Sequence, residues 1–151
     1  MKRIAIAVAG LLALSAAAVT AEEIGSVDTI WKMIGANDKI VVEAYDDPGV
    51  AGVTCHVSRA QTGGIFSTSS PNEASIACRQ VGPIDWDVVT KLPGTDDAIF
   101  KEKTSLLFKE LKVARMIDVR RRTLVYLVYT TELWDGSPKN VISSVPVMPW
   151  H

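Results

Sequence analysis

Hydrophobic and polar residues alternate along several short stretches of this chain, a period-two pattern that is typical of half-buried β-strands. Val53, Cys55 and Val57 occupy every second position, so they share one strand face. The stretches predicted as strands are residues 28–34, 39–45, 53–59, 75–81 and 123–130. The last of these is almost wholly β-branched and aromatic, which makes it the clearest strand prediction in the chain.

Turn-forming residues separate these stretches at short intervals, as in Asp46-Asp47-Pro48-Gly49, Gly63-Gly64 and Pro93-Gly94. A turn at residues 35–38 makes the first two stretches a hairpin, and the Gly/Ser/Pro-rich residues 63–73 form a loop. Many short strands and few helical signals predict a mainly β fold. We expect a single-domain antiparallel β-sandwich or partly open barrel, with room for one short helix.

Residues 101–114 can be interpreted as helix or as strand. Leu107, Leu111 and Ala114 would form a helical stripe, whereas the strand interpretation is interrupted by Lys109 and Arg115. Because the 123–130 strand needs a partner for its backbone, we favour a strand from about residue 105. Residues 118–122 then form a hairpin tip. The tail, residues 145–150, is expected to be extended, and its prolines confine it to an edge or to the surface.

The N-terminus has the three parts of a secretory signal peptide. Lys2 and Arg3 precede an uncharged apolar run over residues 4–19, and Val19-Thr20-Ala21 offers small residues for cleavage. The run of about 16 residues is shorter than the ~20 that span a bilayer. We therefore expect residues 1–21 to be removed and residues 22–151 to be a soluble exported domain with no membrane insertion after cleavage.

Composition adds little about function. The hydrophobic fraction of 48% and the charged fraction of 22% are those of a globular protein. The mature chain keeps 14 basic and 17 acidic side chains, a net charge of −3 that argues against nucleic acid as a partner. Residues 101–122 nevertheless carry eight basic and three acidic side chains. This segment is either a solvated strand pair with a basic turn or a docking face for an anionic partner.

The chain has two cysteines, Cys55 and Cys78, and export would place both in an oxidising compartment. Both lie on the apolar faces of their predicted strands, and no Cys-x-x-Cys motif indicates redox activity. We predict a structural disulfide. Closing the 24-residue loop should contribute about 3.4 kcal/mol of stability in the loop-entropy treatment.

No catalytic constellation is found. His56 and the terminal His151 are the two histidines, so a three-histidine zinc site is impossible, and we expect no catalytic residue, metal or cofactor. The acidic pairs Asp46-Asp47 and Asp96-Asp97 lack the order of a calcium loop and are typical of solvated turns. Asp85 and Asp87 flank Trp86, which leaves open a site of aromatic and carboxylate groups.

One further polar run, Gly136-Ser137-Pro138-Lys139-Asn140, is predicted as a rigid turn after Trp134. The alternative is a preorganised loop that offers Lys139 and Asn140 to a ligand. The candidate partner-binding residues are Arg120, Arg121, Arg122, Lys139 and Asn140.

Long ordered blocks of the mature chain resemble the CreA family of small exported proteins of Gram-negative bacteria. The blocks that carry the resemblance are Glu22-Glu23-Ile24-Gly25-Ser26-Val27-Asp28-Thr29, Lys32-Met33-Ile34-Gly35, Lys39-Ile40-Val41-Val42-Glu43-Ala44, Asp46-Asp47-Pro48, Val53-Thr54-Cys55, Val57-Ser58-Arg59-Ala60, Thr62-Gly63-Gly64, Gln80-Val81-Gly82-Pro83-Ile84, Thr104-Ser105-Leu106, Gly136-Ser137-Pro138-Lys139-Asn140 and Val145-Pro146-Val147-Met148-Pro149-Trp150. Residues 65–75 and 85–100 carry little of it, which agrees with their interpretation as loops. The resemblance implies location in the periplasm and brings with it no activity, cofactor or catalytic residue.

Three hypotheses follow. The first is a non-enzymatic binding domain whose partner is an envelope protein or the ectodomain of a membrane sensor. The second is a hydrolase or carbohydrate-active protein that uses Asp85 and Asp87 near Trp86. This second hypothesis requires that the two carboxylates converge across a cleft. The third is a purely structural envelope protein.

Overall fold

Two four-stranded antiparallel sheets make up the described part of the protein. The computed structural model describes residues 21–63, 74–93, 98–103, 110–134 and 137–151. The first sheet has the order β1 (Glu22–Ile30), β2 (Asp38–Asp46), β3 (Val53–Gln61), β4 (Ala74–Gln80). The second sheet has the order β5 (Phe100–Lys103), β6 (Glu110–Asp118), β7 (Thr123–Trp134), β8 (Ser137–Pro146). A short helix, α1 (Trp86–Val89), lies on the connection between the sheets. The predicted mainly β, antiparallel fold with one short helix is confirmed.

Alternation along the strands builds the core between the two sheets. Every second residue is buried over 53–57 of β3 and over 124–130 of β7, and residues from both sheets belong to one hydrophobic cluster. Its fully buried members include Val53, Val57, Leu124, Tyr126 and Val128. In the described part of the chain the sheets adjoin along β4 and β8 without closing into a barrel, and the Cys78 amide donates to Ser143 Oγ at 2.8 Å.

The predicted disulfide is present. Cys55 and Cys78 are directly opposite each other on β3 and β4, and their sulfurs are bonded. Cys55 is fully buried, and Cys78 packs against the same core from the edge of the first sheet. The disulfide therefore ties β4, a strand at a sheet edge, to the centre of the sandwich.

The ambiguous stretch is β-structure wherever the structure describes it. Residues 100–103 form β5, which the sequence did not predict, and residues 110–118 form β6, which pairs with β7 as expected. Residues 104–109, including the predicted strand start at 105, lie outside the described residues. The tip is confirmed: Val119–Arg121 is a 3₁₀ turn between β6 and β7.

Several boundaries differ from the sequence prediction, most of all at the first strand and at the start of β8. The predicted rigid turn at 136–140 is wrong for residues 137–140, because they begin β8. Pro138 has no N–H to donate to a neighbouring strand, and β8 tolerates it because β8 lies at the edge of its sheet. The first strand runs from Glu22 to Ile30 rather than from residue 28 to residue 34. Asn37 Oδ1 there accepts from the Lys32 amide at 2.9 Å, and Gly35 has a φ of 95°, so residues 31–37 form the turn. Of the predicted loop at 63–73, only Gly63 is among the described residues.

Candidate functional site: the Arg122 cleft

The candidate partner-binding residues occupy two separate places. Arg120, Arg121 and Arg122 lie at the tip between β6 and β7, whereas Lys139 and Asn140 lie on β8 beside the other end of β7. Each place has a cleft. The cleft at the tip, called here the Arg122 cleft, has a volume of about 490 Å³ and is lined by Pro83, Ile84, Arg122, Val147, Met148, Pro149 and Trp150. The structure therefore divides the predicted set and gives the tip the larger cavity.

Asp118 fixes the shape of the tip. Its Oδ1 accepts from the Arg121 amide at 3.1 Å, and its Oδ2 accepts from Arg121 Nη1 at 2.7 Å. The Arg121 side chain, by this hydrogen bond and its charge, lowers the pKa of the Asp118 carboxyl below its usual value. Arg121 is thereby held in a local ion pair, which sets it apart from Arg122.

Arg122 has an unusual backbone conformation. Its φ of 48° and ψ of 48° place it in the left-handed region, and it is the one non-glycine residue with positive φ among the described residues. That conformation costs roughly 1–2 kcal/mol for an L residue with a β-carbon. The Arg122 carbonyl accepts from the Val147 amide at 2.9 Å, which holds the strained residue against the tail. Strained residues of this kind cluster at functional sites.

The Arg122 side chain is directed by Trp86. The guanidinium carbon lies 5.4 Å from the centroid of the Trp86 ring, a cation–π geometry. Asp85 caps the N-terminus of α1, because its Oδ1 accepts from the amides of Asp87 and Val88 at 3.0 and 3.3 Å. The short helix thus presents the indole that Arg122 covers.

Gln80 holds in place the tail residues that line the cleft. Its Oε1 accepts from the Met148 amide at 2.9 Å, while its Nε2 donates to the Met148 carbonyl at 3.0 Å and to the Gly82 carbonyl at 2.9 Å. These bonds fix the extended tail as a strand partner would. The tail therefore has a defined position even though residues 147–150 follow the end of β8.

Gly52 allows its own segment to pack closely against the Gly82-Pro83 backbone beside the cleft. It has a φ of 95°, and a β-carbon there would lie 2.8 Å from the Pro83 carbonyl oxygen. The Val81 amide donates to the Gly52 carbonyl at 2.8 Å. A larger residue at position 52 would displace the Gly82-Pro83 segment that lines the cleft.

The Arg122 cleft is lined by apolar side chains and by one positively charged side chain, that of Arg122. Its lining residues are aliphatic, aromatic or proline, apart from Arg122, and none is acidic. Met148 and Trp150 are 62% and 51% exposed. Such a surface can pack against an apolar segment and pair with one carboxylate or another anion.

The proposed acidic site around Trp86 is not assembled as a cleft. Asp85 and Asp87 are exposed and belong to the first turn of one short helix, and the Asp85 carboxylate already accepts two backbone bonds. They do not lie on opposing walls. Among the residues that the structure describes, no group of three or more His, Cys, Asp or Glu is placed to hold a metal.

Sequence reasoning missed a buried polar network on Asp47. This carboxylate is buried at the end of β2 and accepts from the Arg115 guanidinium, from Tyr126 Oη at 2.7 Å and from the amides of Gly49 and Val50 at 2.8 and 3.1 Å. Burial, followed by the charge of Asp47, raises the pKa of the Tyr126 hydroxyl. The network links the end of β2 in the first sheet to β6 and β7 in the second.

The second cleft holds the other two predicted residues. It has a volume of about 270 Å³, with Leu111, Val128 and Thr130 at its base and Lys139 and Asn140 on exposed positions of β8. His56 lies elsewhere, on the outward face of β3 opposite Ala44 and Ala77. The second cleft is smaller, and the structure shows no strained residue in its lining among the described residues.

These features define a class: a small, disulfide-bonded domain whose described part is two four-stranded antiparallel sheets, with an arginine side chain in a mostly apolar surface cleft. The family model described as CreA protein matches residues 24–150, and the chain belongs to that family. Protein CreA of Escherichia coli strain K12 is 53% identical over 136 residues, covering 87% of this chain and 87% of that protein. Protein CreA of Escherichia coli O157:H7 matches with the same identity and coverage. No solved structure matches the chain.

Proposed function

We propose that this protein is an exported periplasmic binding domain that captures an acidic segment of an envelope protein, such as the ectodomain of a sensor, in the Arg122 cleft. The observation that carries the proposal is the left-handed Arg122, whose guanidinium stacks on Trp86 beside the cleft that Arg122 itself lines. The domain acts by binding rather than by catalysis.

The backbone conformation of Arg122 supports this function, because the left-handed conformation is energetically unfavourable for arginine. Glycine or asparagine would adopt the conformation at lower cost, so the fold alone does not explain the side chain. A buried or stacked arginine is also among the residues that contribute most to binding energy in interfaces. The side chain is thus better explained by recognition than by stability.

The chemistry of the partner follows from charge. Arg120, Arg121 and Arg122 surround the tip, and the one carboxylate on the tip, Asp118, is already paired with Arg121. An acidic segment is attracted to this end of the molecule, and apolar residues beside its carboxylate can pack on Met148 and Trp150. The test should therefore look for a partner segment that contains both a carboxylate and neighbouring apolar residues.

Site-specific crosslinking tests the position of the partner. A photo-crosslinking amino acid at Met148, in the cleft, should trap one envelope protein in intact cells, with the crosslink mapped to an acidic segment. The same label at Ile142, on β8, is the matched control because the two side chains are 62% and 61% exposed. Equal trapping at both positions, or a crosslink to a segment without acidic residues, would contradict the proposal.

Replacement of Arg122 tests the residue itself. Arg122→Asn removes the guanidinium but suits the left-handed backbone, so we expect an unchanged thermal midpoint and a loss of crosslinked product of about tenfold or more. Arg120→Asn is the control, because Arg120 is on the same exposed turn but does not line the cleft. It should leave trapping within about threefold of the parent. A loss that is equal for the two variants would assign the effect to net charge rather than to the cleft.

Export is tested separately. The signal pattern predicts that chain recovered from the periplasm begins at Glu22, which is also the first residue of β1. Intact-mass measurement of the protein released by osmotic shock should give the mass of residues 22–151 with one disulfide. Recovery of the full-length chain, or of the protein in the cytoplasmic fraction alone, would refute this part of the proposal.

A further inference from the structure

We propose that β1 and the turn after it form the interface of a symmetric dimer of this chain. This surface is remote from the Arg122 cleft in the fold, since β1 is the outer strand of the first sheet and the cleft lies at the tip of the second. The dimer does not depend on the proposed function.

The β1 strand is unusual because it is exposed along its whole length. All nine of its residues are exposed, although an edge strand of a sandwich normally buries one face. Large apolar side chains nevertheless follow one another along it and into the turn, with exposures of 55% to 93%: Ile24, Val27, Ile30, Trp31, Met33 and Ile34. Val27 is also opposite Ile40 on β2, which is 42% exposed on the same outward face.

The size of this surface fits a second copy of the chain. Together these residues expose roughly 900 Å², main chain included, compared with about 300–600 Å² for the largest apolar patch of a typical monomer and about 800 Å² for one side of a standard interface. Hydrophobic area of this extent is expected to be covered in solution.

The order of residues along β1 suits an antiparallel twofold arrangement. If Val27 lies on the twofold axis, Ile24 of one copy lies on the same side of the axis as Ile30 of the other, and Glu22 on the same side as Lys32. Lys32 Nζ donates to Asp38 Oδ1 at 2.6 Å and to the Gly63 carbonyl at 3.0 Å, which leaves one of its three protons for that carboxylate. The arrangement therefore pairs apolar with apolar and acid with base.

The geometry of the strand limits how much of this contact is backbone pairing. Register irregularities flank the regular run 25–28, at Ile24 and at Thr29. Irregularities of this kind twist an edge strand away from extended pairing. A short run of backbone bonds at the axis, with side chains supplying most of the contact, is the arrangement that the strand allows.

A membrane surface is the other occupant that an exposed Trp and Ile turn could suit. The β1–β2 hairpin argues against it by charge, since residues 22–46 contain six acidic and two basic side chains. Anionic headgroups repel such a segment. We therefore assign the surface to a second copy and use membrane binding as an outcome that would overturn the proposal.

Crosslinking at the axis is the sharper test. In the mature chain both native cysteines are bonded to each other, so Val27→Cys introduces the one free thiol. Mild oxidation should convert it to a covalent dimer at least tenfold faster than Ile142→Cys. The control is matched because Val27 and Ile142 are 69% and 61% exposed. Equal rates for the two variants would overturn the proposal.

Sedimentation of the unmodified mature chain provides the second test. It should be a dimer at protein concentrations of about 100 µM and below. Val27→Lys should raise the dissociation constant of the dimer at least tenfold more than Ile142→Lys does. A parent chain that stays monomeric at that concentration would overturn the proposal. A monomer that floats with lipid vesicles through Trp31 would do so as well, and would assign the surface to a membrane.

Discussion

Replacement of Asp47 by alanine should lower the free energy of unfolding by about 3–5 kcal/mol, the range for breaking a buried ion pair by removing one partner. The substitution leaves the Arg115 guanidinium buried without its carboxylate, and it removes the acceptor of Tyr126 Oη and of two backbone amides. Arg115, Tyr126 and the Val50 amide lose their bonds at buried positions, where an unpaired polar group is costly. Chemical denaturation of the purified mature chain measures the effect.

The adjacent carboxylate is the control for this experiment. Asp46 is exposed and accepts from Thr54 Oγ1 at 2.5 Å, so Asp46→Ala should cost no more than about 1 kcal/mol. A loss of stability at least about threefold larger for Asp47→Ala than for Asp46→Ala would show that burial, and not the acidic pair as such, gives Asp47 its role. Equal losses for the two variants would contradict the network.

Replacing both ends of the ion pair separates the charge from the packing. Asp47→Asn with Arg115→Met removes both charges while keeping similar volumes; the Asn carbonyl oxygen can accept from the Gly49 and Val50 amides, and its NH2 can donate to Tyr126 Oη. We expect this double variant to be more stable than Asp47→Ala, because no uncompensated charge stays buried.

The alternation of residues was enough to predict most strands, because burial of one sheet face produces a signal that is local in sequence. Arg115 shows where that signal fails. In the sequence pattern its charge interrupts the apolar parity of β6, yet in the structure Arg115 is buried on the same face as Val113 and Leu111. Its partner lies 68 residues away on the other sheet, and no local pattern reports a contact at that separation.

A second buried ion pair shows that a usable signal was present. Glu43 shares a face with Val41 and Tyr45 in the sequence pattern, and in the structure it is buried with them. Arg59 reaches it from β3 with two bonds of 2.9 Å. A charged residue on an apolar strand face predicts a buried partner on a neighbouring strand, and this reasoning would have found Arg59.

The candidate site was predicted in its charge but not in its shape. The cluster Arg120-Arg121-Arg122 was found from composition alone, whereas the cleft depends on the tail being held by Gln80 and on the left-handed backbone of Arg122. Arginine carries no sequence signal for a left-handed conformation, since glycine or asparagine is the usual residue there. The role of Trp86 likewise required a contact between segments that are distant in the chain.

Removal of the disulfide is the second change with a large expected effect. The double variant Cys55→Ala with Cys78→Ala should unfold with a free energy lower by about 3 kcal/mol, because the cross-link closes a 24-residue loop and restricts the unfolded chain. Cys55 is also buried in the core, so the loss of its sulfur adds a packing cost to the same measurement. The parent chain should lose a comparable amount of stability when it is unfolded in reductant.

Sensitivity to reductant distinguishes the cross-link from packing. The double variant should unfold at the same denaturant concentration with and without reductant, whereas the midpoint of the parent should fall. Reductant without effect on the parent would mean that the disulfide contributes nothing to stability. Since β4 is an edge strand held to β3 by this bond and to β8 through the Cys78 amide, its backbone amides should exchange with solvent first when the bond is reduced. A domain with this disulfide is more stable in an oxidising compartment than in a reducing one. An oxidising compartment is also the destination that the N-terminal segment predicts.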